Sequence, residues 1–264
     1  MSAPSTSGSF ASPSPASPEA DAAAARRILV ELLAEGGVPL SASVLDLLEH
    51  YVALLLAANG RLNLTRVVAP PDVARLHLLD ALAALPLLDA AAAHRVVDLG
   101  SGGGVPALPL AIARPHVAWT LVESVGKKAA ALRSFVAALQ LRNVEVVNER
   151  AEVLGHDPAF RERFEQATAR ACAPLPVLVE LGLPLLASGG QLLAWKGPLS
   201  EGSPEVVAGA AAAAQLGGGA ARIVSREIAA LGGHRLVIVP KLRPTPPRFP
   251  RRPGEPARRP LGPT

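Results

Sequence analysis

The 264-residue sequence contains one cysteine, Cys172, one methionine and only eight aromatic residues. A lone cysteine cannot close an intramolecular disulfide, and it excludes a cysteine-built zinc cluster. So few rings leave the core to Ala, Leu and Val, which favours tight helix packing. No run approaches 18 apolar residues without a charge or a proline, so no membrane span is expected. The first basic residue is Arg26, so the N-terminus lacks the basic-then-apolar order of a secretory signal. The expected setting is cytoplasmic and reducing.

Charge of either sign is sparse over most of the chain, and the formal excess of +4 is unevenly placed. Between Lys241 and Pro260 seven basic residues (Lys241, Arg243, Arg248, Arg251, Arg252, Arg258, Arg259) meet one acid, Glu255. The 240 residues before them carry two more acids than bases. A basic, proline-rich tail suits a polyanionic partner, and it equally suits a merely solvated end. Both readings stay open at this level.

Hydrophobic periodicity divides the chain into four parts. Residues 1–20 are rich in Ser and Pro and read as disordered. Residues 21–90 show helical stripes, with Gly36-Gly37 ending the first helix and Ser41 or Ser43 capping the second. Residues 91–241 alternate short apolar runs with helical stretches. Runs at Arg95–Leu99, Val117–Val122, Val144–Val147, Glu165–Ala169, Gln191–Trp195, Ile223–Ile228 and Leu236–Val239 give seven candidate strands. This alternation predicts an α/β fold with a doubly wound, mainly parallel sheet. A short loop containing Gly232-Gly233 joins the last two strands, which should pair antiparallel. Residues 242–264 form the basic tail.

The segment Val96–Pro106, VVDLGSGGGVP, is the most informative. It runs from a strand through a glycine loop into a helix, where glycines permit positive φ and close approach of a ligand to backbone N–H groups. A dinucleotide fingerprint needs Gly at relative positions one, three and six, and position six here is Val105. Gly100, Gly102 and Gly104 instead fill positions one, three and five, with Asp98 two residues ahead. An acid there repels a pyrophosphate but can orient a cationic amino group, such as that of S-adenosylmethionine. Glu123, ending the second strand, is placed to accept from ribose hydroxyls. Ala151 and Glu152, after the third strand, are placed to read the N1 and N6 edge of adenine.

These residues belong to a wider pattern. Asn63-Leu64-Thr65, His77 with Asp80, DLGSGGGVP, Glu123-Ser124 with Gly126-Lys127-Lys128, Arg150-Ala151-Glu152, Arg170-Ala171, Trp195-Lys196-Gly197 and Pro244–Gly254 occur in order. From Tyr51 to Pro260, about four-fifths of the chain, the sequence resembles the bacterial 16S rRNA 7-methylguanosine methyltransferases, the small subunit methyltransferase G or glucose-inhibited division protein B family. The resemblance implies a Rossmann-like, seven-stranded class I methyltransferase sheet with an antiparallel last strand, preceded by an N-terminal helical segment. It implies S-adenosylmethionine contacts at Gly100, Val105, Ala151, Glu152 and Arg170, with Glu123 at the ribose. It further implies methylation at N7 of a guanine in the 530 loop, by a monomer acting on rRNA, the 30S subunit or an assembly intermediate. The chain departs from the family at Ala107, Glu123, Cys172 and Glu165, where Gly, Asp, Phe and Asp are usual.

The chemistry agrees with the resemblance. Guanine N7 carries a lone pair and no proton, so attack on a sulfonium methyl needs alignment and no general base. The chain lacks the Asn/Asp-Pro-Pro-aromatic motif typical of exocyclic-amine methylation. Cytosine C5 methylation needs a nucleophilic cysteine, and the setting of Cys172 resembles none of those enzymes; it reads as a small buried residue. Arg170 could pair with the methyl donor's carboxylate or with RNA. Lys196, past the fifth strand, is expected at RNA phosphate together with Arg248, Arg251 and Arg252. Reversing Arg251 and Arg252 to Glu should then weaken RNA binding and spare the methyl donor. His77 and Asp80, one turn apart, are expected to form a structural pair bridging the helices to the sheet, with no metal. Competing readings are a methyltransferase with a small-molecule or protein substrate, a non-catalytic RNA-binding protein, and a nicotinamide or flavin oxidoreductase.

Overall fold

The computed structural model describes residues 17–36, 39–225 and 228–262. The expected disorder of residues 1–16, the helix stop at Gly37, the strand positions Arg226 and Glu227, and the chain end at 263–264 lie outside the described residues.

Helix α1 (Pro18–Gly36) starts three residues ahead of the expected boundary and packs on α2 (Ala42–Leu62). Ser41 caps α2, its hydroxyl accepting from the Val44 N–H. By length and hydropathy α2 alone among the described helices passes for a membrane span. Its charged residues argue otherwise, because Asp46 and Glu49 both pair with Arg26 of α1 at 2.6 and 2.7 Å. Its apolar stripe of Leu48, Tyr51, Val52 and Leu55 is buried in the core. Asn63 ends α2 with φ 49°, a left-handed position that Asn tolerates. A short turn, α3 (Pro70–Asp72), leads into a π-helical stretch, Val73–Leu79, and then α4 (Asp80–Leu82) and α5 (Leu85–Ala90).

The sheet has seven strands in the order β3-β2-β1-β4-β5-β7-β6. They are β1 (Arg95–Leu99), β2 (Ala118–Val122), β3 (Val144–Val147), β4 (Phe164–Arg170), β5 (Leu186–Lys196), β6 (Arg222–Ser225) and β7 (Arg235–Pro240). The first five pair in parallel, while β7 runs antiparallel between β5 and β6. The expected antiparallel partnership of the last two strands is therefore present, with β7 inserted inside the edge. Helices α6 (Ala107–Ala113) and α7 (Gly126–Ala138) share one core with α1 and α2. A second core holds α8 (Ala151–Leu154), α9 (Leu175–Gly182), α10 (Pro204–Leu216) and Phe249. Chain order reverses between β1 and β4, and the carboxyl ends of strands at such a switch are where open α/β sheets bind ligands.

The basic tail is not loose. Thr245, Phe249 and Pro250 are buried. The fully buried Lys241 donates to the Leu183 carbonyl and to Thr245 Oγ1 and lies 3.5 Å from Glu162. Burial pushes the Lys241 ammonium down to about 8, with Arg161 acting in the same direction and Glu162 against it. Arg161 donates to the carbonyls of Thr245 and Phe249. The segment ends in a one-turn helix, α11 (Glu255–Arg258).

Candidate functional site

The glycine loop adopts the conformation its composition demands. Gly100, Gly102 and Gly104 have φ of 65°, 55° and 97°, a region costly for residues with a Cβ. Space is limiting as well, since a Cβ on Gly100 would lie 2.9 Å from Cys172 Cβ and one on Gly104 2.5 Å from Leu108. The N–H groups of Gly100 and Ser101 both donate to the Val122 carbonyl at 2.9 and 3.1 Å, tying the loop to the end of β2. From the other side, the buried Tyr51 hydroxyl donates to the Gly103 carbonyl at 2.8 Å. The helical lead-in thus grips the loop from behind.

Asp98 lies beneath the loop and is 1% exposed. Its Oδ1 accepts from Thr168 Oγ1 at 2.6 Å, and its Oδ2 has no hydrogen-bond partner among the described residues. Burial pushes its carboxyl up to about 6, against the Thr168 bond and the nearby Ser101 hydroxyl, which donates to the Asp98 backbone carbonyl at 3.2 Å, and with help from nearby Glu123. Glu123 is also buried and folds back on its own surroundings. Its Oε2 accepts the Gly102 N–H at 2.9 Å and its Oε1 the Val125 N–H at 2.7 Å. The methylene that distinguishes Glu from Asp at this position supplies the reach for that fold-back. Another departure, Glu165, accepts the Arg95 N–H at 2.6 Å and joins β4 to the start of β1.

At the switch point lies a cleft of about 210 Å³, walled by Gly100, Ala151, Glu152 and Cys172, and by Pro256 and Ala257 of α11. Glu152 Oε1 accepts from Arg150 Nη2 and from the Gly254 N–H, both at 2.8 Å. Burial works to raise the Glu152 carboxyl, but the bonds from Arg150 and Gly254 outweigh it and hold the group below its ordinary value. Cys172 differs from expectation, for the residue is exposed and not buried. Its thiol nevertheless lies against Leu99 and Gly100, where crowding by protein and the Asp98 carboxylate push it up to about 11. A thiol held protonated is a poor nucleophile.

Of the residues expected at the methyl donor, Gly100, Ala151 and Glu152 line this cleft together. Asp98, Gly102, Gly104 and Glu123 build the loop beside it, and the half-buried Val105 packs toward the α1–α2 core. Arg170, at the end of β4, lies 3.6 Å from Asp80. His77 and Asp80 do not form the expected pair. His77 Nε2 meets Thr65 Oγ1 at 2.8 Å, whereas Asp80 reaches His234 at 3.4 Å and takes the Trp195 indole N–H on its carbonyl at 2.9 Å. The bridge from helices to sheet runs through Asp80 and not through His77. Burial, then the Arg170 charge, push the imidazole of His77 down to about 4, so it is neutral at pH 7. Among the described residues no cluster of three or more potential metal ligands occurs.

The expected RNA-facing residues separate into two kinds. Lys196 donates to the Ala173 carbonyl at 2.8 Å and pairs with Glu205 at 2.7 Å. Arg251 gives its backbone N–H, Nε and Nη2 to the fully buried Glu180 at 2.9, 2.8 and 2.5 Å. Both cations are thus engaged by the protein itself. Arg248, stacked on Phe249, and Arg252 remain exposed. These two line a second cleft of about 490 Å³ with Glu152, His156 and Glu255. Sequence reasoning missed α11 as part of the site. The signal was Glu255-Pro256, an acid and a proline in helix-starting order inside a basic tail.

A family model for rRNA small subunit methyltransferase G matches residues 44–225. A ribosomal RNA small subunit methyltransferase G of Deinococcus deserti is 42% identical over 235 residues, covering 88% of this chain and 96% of that protein. One of Roseiflexus castenholzii is 44% identical over 233 residues, covering 88% and 98%. Among solved structures, the apo form of the S-adenosylmethionine-dependent methyltransferase SibL aligns with a TM-score of 0.53 at 15% identity, over 83% of this chain and 74% of that one. This last likeness concerns the fold alone.

Proposed function

The chain belongs to the rRNA small subunit methyltransferase G family, and from that premise we propose that it transfers a methyl group from S-adenosylmethionine to N7 of a guanine in the 530 loop of 16S rRNA. The observation that carries this reading is the cleft at the switch point, where Gly100, Ala151 and Glu152 meet. Two features fit the methyl donor. Gly100 lines the cleft with bare backbone at a positive φ, where a side chain would also meet Cys172, and Asp98 keeps one buried carboxylate oxygen without a partner among the described residues, matching a cationic amino group. Gly100, Ala151 and Glu152 would hold the adenosine end, with Asp98, Gly102, Gly104, Val105 and Glu123 shaping the loop and Arg170 at the methionine end. The bound donor supplies an electrophilic sulfonium methyl. The protein's task is then to align N7 with it and to exclude water, because N7 has no proton to lose.

On this reading residues 91–241 form the donor-binding domain, residues 21–90 brace it, and residues 242–264 carry the RNA-facing cations. Arg248 and Arg252 are the phosphate contacts, while Arg251 and Lys196 position the elements around them. The protein works as a cytoplasmic monomer on small-subunit rRNA, within the 30S subunit or an assembly intermediate. Transfer of radiolabel from S-adenosylmethionine to this RNA tests the proposal. The native protein should label it and Gly100→Asp should not. Label on protein or on small molecules, with none on rRNA, would refute it.

A further inference from the structure

The cleft at the switch point owes one wall to the far end of the chain. Pro256 and Ala257 line it opposite no other element of the tail, and the turn that carries them is tied to the body at successive points. The Gly254 N–H donates to Glu152, so the carboxylate expected at adenine also grips the segment. Arg251 clamps onto buried Glu180, and its Nη2 also donates to the Arg259 carbonyl at 2.8 Å, closing the turn upon itself. Upstream, Arg161 and Lys241 hold the chain at Thr245 and Phe249. A basic terminus that served only as a solvated polycation would need none of these anchors. Small-ligand sites span roughly 300–1,000 Å³, and this cleft, at about 210 Å³, is narrow for its proposed occupant. Pro256 and Ala257 are among the residues that set its width.

We propose that residues 254–257 are the outer wall of the methyl-donor site, with Pro256 and Ala257 as positioning residues for the adenosine end. The inference rests on the reading of this cleft as the donor site. It gives the C-terminal segment a role in the donor affinity of the protein that is separate from any contact with RNA.

Calorimetric titration of the full chain with S-adenosylhomocysteine, in the absence of RNA, separates the two. Ala257 is exposed, so Ala257→Trp adds bulk to the cleft without disturbing a core. It should weaken binding by about tenfold or more with an unchanged melting temperature. Arg258→Trp, one residue on and outside the cleft wall, should stay within about twofold of the native protein. Should the Trp variant melt early, Ala257→Leu serves in its place with the same expected direction. Native-like binding by the Ala257 variant, alongside lost binding by Gly100→Asp, overturns the wall and leaves the donor site standing. Native-like binding by Gly100→Asp overturns both.

Discussion

Two buried carboxylates, one in the C-terminal anchor and one under the glycine loop, are treated in opposite ways. Glu180 is fully buried, and Arg251 satisfies it with three hydrogen bonds. Asp98 is equally inaccessible, yet it receives a single side-chain bond, from Thr168, and keeps one oxygen without a partner. An ion buried in protein is costly unless a counter-charge completes it. The anchor contains its own counter-charge and is a finished structural joint. Among the described residues the loop holds no such counter-charge, and on the proposed reading the cationic amino group of the methyl donor would supply it.

Breaking the anchor gives the largest expected effect. Arg251→Met leaves Glu180 buried and unpaired, which costs about 3–5 kcal/mol and should lower the melting temperature by about 10 °C. Adding Glu180→Leu removes the stranded charge and should restore most of that loss. The proposed wall implies an outcome different from the sequence-based expectation that reversing Arg251 and Arg252 spares the methyl donor. Arg251 fixes the segment that carries Pro256 and Ala257, so its reversal should disturb the donor cleft as well. Arg248→Glu with Arg252→Glu is the cleaner pair. It should weaken RNA binding and flatten its salt dependence while leaving donor titrations and melting unchanged.

Asp98→Asn sharpens the contrast from the other side. The folded-state pKa of about 6 exceeds the ordinary 3.8, so the folded protein binds more protons across that window. Stability then falls as pH rises from 4 to 6, by an amount on the order of 3 kcal/mol. Asn escapes this cost but strands its own amide, so a net gain of about 1 kcal/mol, or about 2–4 °C at pH 7, is expected. Methyl-donor affinity should move the opposite way and fall by about tenfold or more. In the native protein, affinity should decline as pH drops below about 6, because a protonated Asp98 no longer attracts a cation. The Asn variant should show no such decline. Tyr51→Phe has the smallest expected effect, removing one hydrogen bond to the Gly103 carbonyl for about 1 kcal/mol. It should raise the KM for the donor more than it changes kcat.

Local chemistry was legible in the sequence where spacing dictates structure. The glycine loop, the seven strands and the antiparallel turn at Gly232 all follow from short-range pattern. The partners of the charged residues were not legible, because they lie far off in the chain. Lys196 meets Glu205 across a loop, Arg251 meets Glu180 from 71 positions away, and Glu152 meets Gly254 from 102. Composition marked the tail as basic, but only the fold reveals that one of its arginines is spent on an internal anchor. Likewise, Glu123 carries the right charge for a ribose, yet its carboxylate is engaged by the N–H groups of Gly102 and Val125.

Identification of the methylated nucleoside tests the central claim most directly. Small-subunit rRNA lacking the modification, incubated with the protein and isotopically labelled S-adenosylmethionine, can be digested and resolved by mass spectrometry. Label is expected in 7-methylguanosine from the 530 loop, and Gly100→Asp should abolish it. Label on a cytosine carbon or on an exocyclic amine would contradict the claim.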